Sequence, residues 1–474
     1  VESKNRGHAF PWKKSLRIFQ PRQESWYFTP TFSKIAAGIL NKEACMERLE
    51  TEVAVVGTGP GGACVARELA ARGQRVVLLE AGARHERLIG RAASMGTVTR
   101  LVRTRQGGLM ARGVTVGGSS VVFNGNAYDP PAWLAGECGM DLVPHAEALK
   151  EEIGIRPLPE SHCAGWTGTQ RLLEAASGLG IELKPQMKFI DPAKCDPRCD
   201  DCMLGCRRDA KWTARRMVDQ TVALGGRLLD RAPVESVILE NGRARGVRLK
   251  RSRHGISQVR ADRVILAAGG LGTPMILRHS GVSAGNRFFV DPMCVVMGVG
   301  REKGTWHETT FSYACEDFAD LGFLVSTVGA APVLASQLMR LSSFRALFNS
   351  VHMSRIVGMF TKIGDEPGGR ITRNGKIDKP YGPRDQDLFA KGTRACIQIM
   401  KAAGVDLASI TVAKDIGGHP GGTAAVGQVL DADLQVRGAK NLYVCDASAF
   451  PRSPGRPPTL TILAMARWLA STMG

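Results

Sequence analysis

Short apolar runs alternate with longer, half-polar stretches along most of this chain, the first predicting strands and the second helices. Val53-Ala54-Val55-Val56 reads as a buried strand, the residues from Gly57 to Arg72 as a tight turn and helix, and Arg75 to Leu79 as a second strand. Two strands at 234–239 and 244–250 flank Glu240-Asn241-Gly242-Arg243, whose Asn-Gly pair suits a hairpin turn. Arg263 to Ala268 is an apolar strand ending at Gly269-Gly270, and Asn441 to Asp446 is another. Helices are predicted over 384–403 and from Thr459 onward, short helices over 145–180, and a mixture of strands and one apolar helix over 290–380. Residues 84–112 carry seven Arg and one Glu and predict a basic surface loop. The first fifty residues crowd Phe10, Trp12, Phe19, Trp26, Tyr27, Phe28 and Phe32 among basic residues without a period. They read as an extended arm that packs its aromatics on its own body or on a partner.

The first strand runs into Gly57-Thr58-Gly59-Pro60-Gly61-Gly62. Gly57 permits the tight turn, Gly59 lets backbone approach a pyrophosphate, and Gly62 lets the helix close on the strand. The helix N-terminus then faces the phosphates. Glu80 ends the second strand, where its carboxylate can accept from a ribose hydroxyl. Strand, turn, helix, strand and acid in register make a dinucleotide site; the pattern alone does not choose between FAD and NAD.

Four segments resemble the glucose–methanol–choline (GMC) oxidoreductases. They are the fingerprint with Leu78-Leu79-Glu80-Ala81-Gly82; Val116-Gly117-Gly118-Ser119-Ser120 leading to Asn124-Gly125-Asn126; Ala268-Gly269-Gly270-Leu271-Gly272-Thr273-Pro274; and His419-Pro420-Gly421-Gly422-Thr423 through Asp446-Ala447-Ser448 to the last helix. The resemblance implies an α/β fold, a Rossmann-like FAD-binding domain interleaved with a sheet-based substrate domain. It assigns 1–50 to the arm, 51–160, 210–290 and 425–474 to the FAD-binding domain, 161–209 to a cysteine-cluster insertion and 291–424 to the substrate domain. It implies that FAD is held by Gly57, Gly59, Gly62, Glu80, Gly117, Gly118 and Ser119, with Asn124 or Asn126 beside the ring. Val234, Ala268, Asp446, Ala447 and Pro458 complete the cofactor set. His419 stands where the family places its base for an alcohol hydroxyl. One departure matters: the second His or Asn of the family falls on Pro457, which offers no side-chain hydrogen bond. His307, Asn126 and His352 are candidates to replace it; otherwise the chemistry is a flavin-dependent reduction or isomerisation rather than alcohol oxidation.

Twelve cysteines are many for an enzyme of this size, and four of them form Cys195-x3-Cys199-x2-Cys202-x3-Cys206. Four thiols in one compact run suit an iron–sulfur cluster, of four-iron or three-iron type; structural zinc and ordinary thiols or disulfides are the alternatives. Cys202-x2-Gly205-Cys206-x4-Lys211 resembles the cysteine-containing GMC subgroup that passes electrons to a cytochrome. Flavin and cluster together would take hydride from a small organic substrate and release single electrons to an acceptor protein or a membrane carrier, within a hetero-oligomeric complex. An electron-transferring subunit with no substrate of its own is the further alternative. Arg207, Arg208 and Lys211 would tune the cluster or dock an acidic acceptor.

Bulk properties change this picture little. The 474 residues are 44% hydrophobic and 23% charged, an ordinary globular composition. The net charge of +19 favours anionic partners, and bound FAD offsets part of it; nucleic acid is not among the expected partners. The uncharged run from Leu321 to Met339 is broken by Gly322, Gly329 and Pro332, so a span is not predicted. A cytoplasmic location is expected, with peripheral membrane association and export alongside a partner left open.

Overall fold

The computed structural model describes residues 47–199, 201–250, 252–329 and 350–473. The aromatic arm and most of the apolar run after Leu321 lie outside the described residues. The elements that carry the site are, in chain order, β1 (Glu47–Val56), α1 (Pro60–Ala71), β2 (Val76–Leu79), β3 (Ile256–Leu266), α2 (Gly269–His279), β4 (Pro292–Val299), β5 (Ile356–Ile363), β6 (Thr411–Gly417), β7 (Leu442–Val444) and α3 (Thr459–Thr472).

The first sheet is the α/β half of the molecule. Its order is Arg227–Leu229, β2, β1, β3, then Arg243–Leu249 and Val234–Glu240, with β7 also on β3. The Arg227 strand, β2, β1, β3 and β7 run parallel. Such strands are buried on both faces, which is why Val53–Val56 and Val76–Leu79 read as unbroken apolar runs. The hairpin forms as expected, with Asn241 at φ 50° and Gly242 at φ 71°. α1 and α3 pack together over one face. Two glycines allow α1 to close: a Cβ on Gly61 would lie 1.9 Å from the Cys445 carbonyl oxygen, and one on Gly62 would lie 2.0 Å from that of Gly57.

The second sheet has eight strands among the described residues, ordered Thr99–Arg103, Leu109–Gly113, β6, β4, β5, Phe323–Val328, Tyr313–Cys315 and Lys184–Pro185. One face packs on the helix Pro383–Ala402; the other carries Met293, Phe360 and Ile416 toward the first half of the molecule. The basic stretch at 84–112 is therefore not only a loop. It contributes two strands that extend this sheet at its edge, Leu109–Gly113 pairing with β6. Arg100 and Arg103 are exposed there, and charge on an edge strand discourages further pairing. Among the described residues no helix is long and apolar enough to cross a membrane.

Candidate active site

A cavity of about 610 Å³ opens between the two sheets. Of the residues expected to hold FAD, Gly57, Gly59, Glu80, Gly118, Ser119, Asn124, Asn126, Val234, Ala268, Asp446, Ala447 and Pro458 line it, as does His419. Gly62 and Gly117 do not; they act behind the wall. Gly57 adopts φ 104°, which an L side chain would strain. A Cβ on Gly59 would meet nothing within 4 Å, whereas one on Gly118 would lie 2.8 Å from the Gly59 Cα. The two glycine turns therefore touch and leave open space beside Gly59. No side chain caps the N-terminus of α1 at Gly59. An open glycine turn feeding an uncapped helix fits a pyrophosphate.

Thr58, a variable position of the fingerprint, ties the turns together. Its hydroxyl donates to Glu80 Oε2 at 2.8 Å and accepts from the Gly117 N–H at 3.1 Å. Glu80 also accepts from the Thr58 N–H at 3.1 Å and the Gly82 N–H at 2.8 Å. A carboxylate has about four acceptor positions, and Glu80 itself lines the cavity. Asp446 is different. It accepts from the Gly269 N–H and the Thr273 hydroxyl on one oxygen, and from the N–H and hydroxyl of Ser448 on the other. Its side chain is fully committed to joining β7 to α2. Burial raises the pKa of both acids, against these donors.

The two asparagines also differ. Asn126 accepts from Lys188 Nζ at 2.9 Å and donates to the Phe311 carbonyl at 2.7 Å. Asn124 Oδ1 is buried without a partner among the described residues, as is Arg112 Nε, and both residues line the cavity. Buried polar atoms are rarely left unpaired, so these fit a polar cofactor. Arg112 was not anticipated; it sits among the basic residues of 84–112 with no motif to mark it.

On the opposite wall, His419 follows β6. The Phe289–Gly421 backbone bridge holds its loop, and Gly270, where a Cβ would lie 2.0 Å from the Pro420 carbonyl oxygen, lets that loop approach α2. His419 Nδ1 lies 2.8 Å from Asp291 Oδ2. A carboxylate only accepts, so Nδ1 carries the proton, and in the neutral ring Nε2 keeps its lone pair. Asp291 is completely buried. Its Oδ2 also pairs with Lys362 Nζ at 3.0 Å, and its Oδ1 accepts from Ser453 at 3.2 Å. Burial, then Lys362, pull the His419 pKa below its usual value, and Asp291 opposes them. Sequence reasoning missed Asp291 and Lys362. A lone Lys inside the apolar run Ile356–Ile363 was the available signal, since buried charges are paired. Pro457 lines the cavity as expected. Of its proposed substitutes, Asn126 is in the wall, while His307 and His352 are not.

The cysteine loop meets the cavity from a third side through Met203. Cys195 and Cys202 pack in one cluster with Leu158, Cys163, Trp166 and Ile190, and none of the four cysteines is in a disulfide. Among the described residues no group of three or more His, Cys, Asp or Glu stands ready to hold a metal ion. Of the three basic residues beside the loop, two are exposed and one is buried. Arg207 pairs with Asp201 and Arg208 with Asp196, each at 2.8 Å. Lys211 is 1% exposed and donates to the carbonyls of Val121, Phe123 and Cys202.

Two family models, both described as GMC oxidoreductase, match residues 85–302 and 375–466. An uncharacterized GMC-type oxidoreductase of Mycobacterium tuberculosis is 28% identical over 88% of this chain and 74% of its own length. A long-chain-alcohol oxidase of Arabidopsis thaliana is 22% identical over 90% of this chain and 68% of its own. The crystal structure of pyridoxine 4-oxidase from Mesorbium loti superposes with a TM-score of 0.69 at 18% identity, covering 89% of this chain and 99% of that one; at such identity the likeness is one of fold.

Proposed function

The chain belongs to the GMC oxidoreductase family and is an FAD-dependent oxidoreductase, and from that premise we propose that it oxidises an organic alcohol with His419 as the proton acceptor. Bound FAD supplies a two-electron acceptor for the substrate's hydride. The chain's own residues do the rest. Gly57, Gly59 and the N-terminus of α1 would hold the pyrophosphate, Glu80 a ribose hydroxyl, and Asn124 the ring. His419 Nε2 takes the hydroxyl proton as the C–H bond breaks, so proton and hydride leave the CH–OH group together and a carbonyl remains. Met293, Phe311, Phe360 and Ile416 on the His419 side favour an apolar substrate body and exclude water. The observation that carries this reading is His419 in the cavity wall with its Nδ1 2.8 Å from the buried Asp291 carboxylate. His419→Gln should keep its flavin and lose roughly 10²–10⁴-fold in the rate of flavin reduction by alcohol. Full retention of that rate would sink the alcohol chemistry and favour the reductase or isomerase alternative.

For the fate of the electrons we propose an iron–sulfur cluster on Cys195, Cys199, Cys202 and Cys206, serving a one-electron acceptor protein or membrane carrier. Three features support it. Four thiols fall within twelve residues; Met203, inside the loop, lines the flavin cavity; and two buried lysines without carboxylate partners among the described residues, Lys188 and Lys211, lie near the loop, where an anionic thiolate centre would balance them. Iron and sulfide analysis of anaerobically prepared protein tests it. Protein lacking iron, or carrying zinc, overturns the relay.

A further inference from the structure

Resting on His419 as the base, we propose that Lys362 is a positioning residue: it neutralises Asp291, so that Asp291 fixes the His419 tautomer while the ring stays neutral and ready to accept a proton. An Asp–His pair alone does two things at once. It orients the ring, and it draws a proton onto it, because an opposite charge at this distance favours the imidazolium. A histidine already protonated cannot act as base. Here the same carboxylate oxygen that accepts from His419 Nδ1 faces Lys362 Nζ at 3.0 Å, and the ammonium also bonds the Asp291 backbone carbonyl. Asp291 and Lys362 are both buried, at 0% and 1% exposure. The pair is therefore close to electrically neutral as His419 sees it, and its hydrogen-bond geometry survives while its attraction for a second proton does not.

The surroundings hold that pair in place. Asp291 has φ 55°, a left-handed conformation that Asp tolerates better than most residues. Its N–H and that of Val290 donate to Asp365 at 2.8 and 3.1 Å, and Asp365 pairs with Lys379 at 3.1 Å. Ser453 donates to the other Asp291 oxygen, and Tyr128, in the cavity wall, lies near enough for Asp291 to add slightly to the burial that raises its pKa. No carboxylate besides Asp291 touches His419 among the described residues. The low proton affinity of His419, set by burial and Lys362 against Asp291, agrees with this arrangement.

The test is the pH dependence of flavin reduction by alcohol in the FAD-loaded enzyme. Lys362→Met leaves Asp291 uncompensated, so the acid limb, on which rate is lost as His419 protonates, should move up by about one pH unit or more. Asp291→Asn can present its NH2 to Nδ1 and shift the ring proton to Nε2; the rate should fall roughly 10²–10⁴-fold at every pH. A merely structural Lys362 would lower the rate without moving the limb, and an unmoved limb overturns the proposal. Should Lys362→Met fail to accumulate, ¹⁵N-histidine spectra of the wild-type holoenzyme decide, with His419→Gln giving the assignment: a neutral, Nδ1-protonated ring is expected at neutral pH, and an imidazolium or an Nε2-protonated ring overturns it. Full activity of His419→Gln would instead remove the base itself, so the two failures are distinguishable.

Discussion

Among the described residues four lysines are essentially buried, and they fall into two pairs with opposite surroundings. On the His419 side, Lys362 meets Asp291 at 3.0 Å, and Lys379 meets Asp365 at 3.1 Å with Asp385 beyond. On the cysteine side, Lys188 donates to the Asn124 and Thr310 carbonyls and Asn126, and Lys211 donates to three carbonyls; neither pairs with a carboxylate among the described residues. The first pair is complete within the protein. The second holds charge that carbonyl dipoles alone compensate poorly, and burial accordingly pulls the Lys188 pKa down to about 7 and that of Lys211 to about 8. The first wall is balanced within the protein; the proposed anionic cluster would balance the second.

The largest effect expected from this contrast is on stability against pH. In iron-free protein the Lys188 ammonium holds its proton more weakly folded than unfolded. Between about pH 7 and 10.5 the unfolded chain binds more protons there, so stability rises with pH across that window. Since a tenfold change in proton affinity is worth about 1.4 kcal/mol, the contribution is capped at about 5 kcal/mol. Loading an anionic cluster should flatten the rise. Denaturant titrations at several pH values, with and without iron, check both; a flat profile in iron-free protein would mean that Lys188 is already balanced. Slightly smaller is the cost of breaking the complete side. Asp365→Asn leaves the buried Lys379 with only the longer Asp385 contact at 3.8 Å and should destabilise by up to about 3–5 kcal/mol, read by the same titration. A loss below about 1 kcal/mol would erase the distinction between the walls.

How much of this was legible in the sequence follows the same division. Local rules found β1, α1, β2 and the hairpin, because strand, turn and helix there are set by neighbouring residues. The glycine turns were legible because their spacing carries the chemistry; His419 was marked only by the family resemblance. Asp291 and Lys362 were not, since the pair joins residues 71 positions apart and neither belongs to a motif. The strands at 99–103 and 109–113 were hidden by their arginines, which suit an edge position and mask the alternation. Lys211 was grouped with Arg207 and Arg208 because a basic run beside a loop gives no sign of which member turns inward. The choice between Asn124 and Asn126 needed Lys188 and Phe311, both distant in sequence, to show which amide was already occupied.

Thr58 belongs to the complete groups, although it lies in the cofactor's wall. Thr58→Val keeps the shape and removes the hydroxyl that joins Glu80 to the Gly117 N–H. The buried N–H then lacks a partner, and a loss of about 1–3 kcal/mol is expected, with weaker flavin retention as the two glycine turns separate. Thermal unfolding with bound flavin followed by its fluorescence measures both; unchanged values would show that backbone contacts alone hold the turns.

Arg112 belongs with the incomplete groups and gives the smallest but most selective effect. Its guanidinium lines the cavity near Glu80, its Nε is buried without a partner, and burial lowers its pKa while Glu80 partly restores it. If FAD phosphate oxygens are its missing partner, each charged hydrogen bond is worth about 1.5–3 kcal/mol. Arg112→Gln should then weaken FAD binding by the apoprotein roughly tenfold or more, and it should also shallow the loss of affinity with added salt, since one ion contact to the cofactor has been removed. Fluorescence titration of apoprotein at two ionic strengths reads both numbers. Equal affinity and equal salt dependence in variant and wild type would assign the guanidinium to Glu80 alone, moving Arg112 from the groups that await a ligand to those the fold already satisfies.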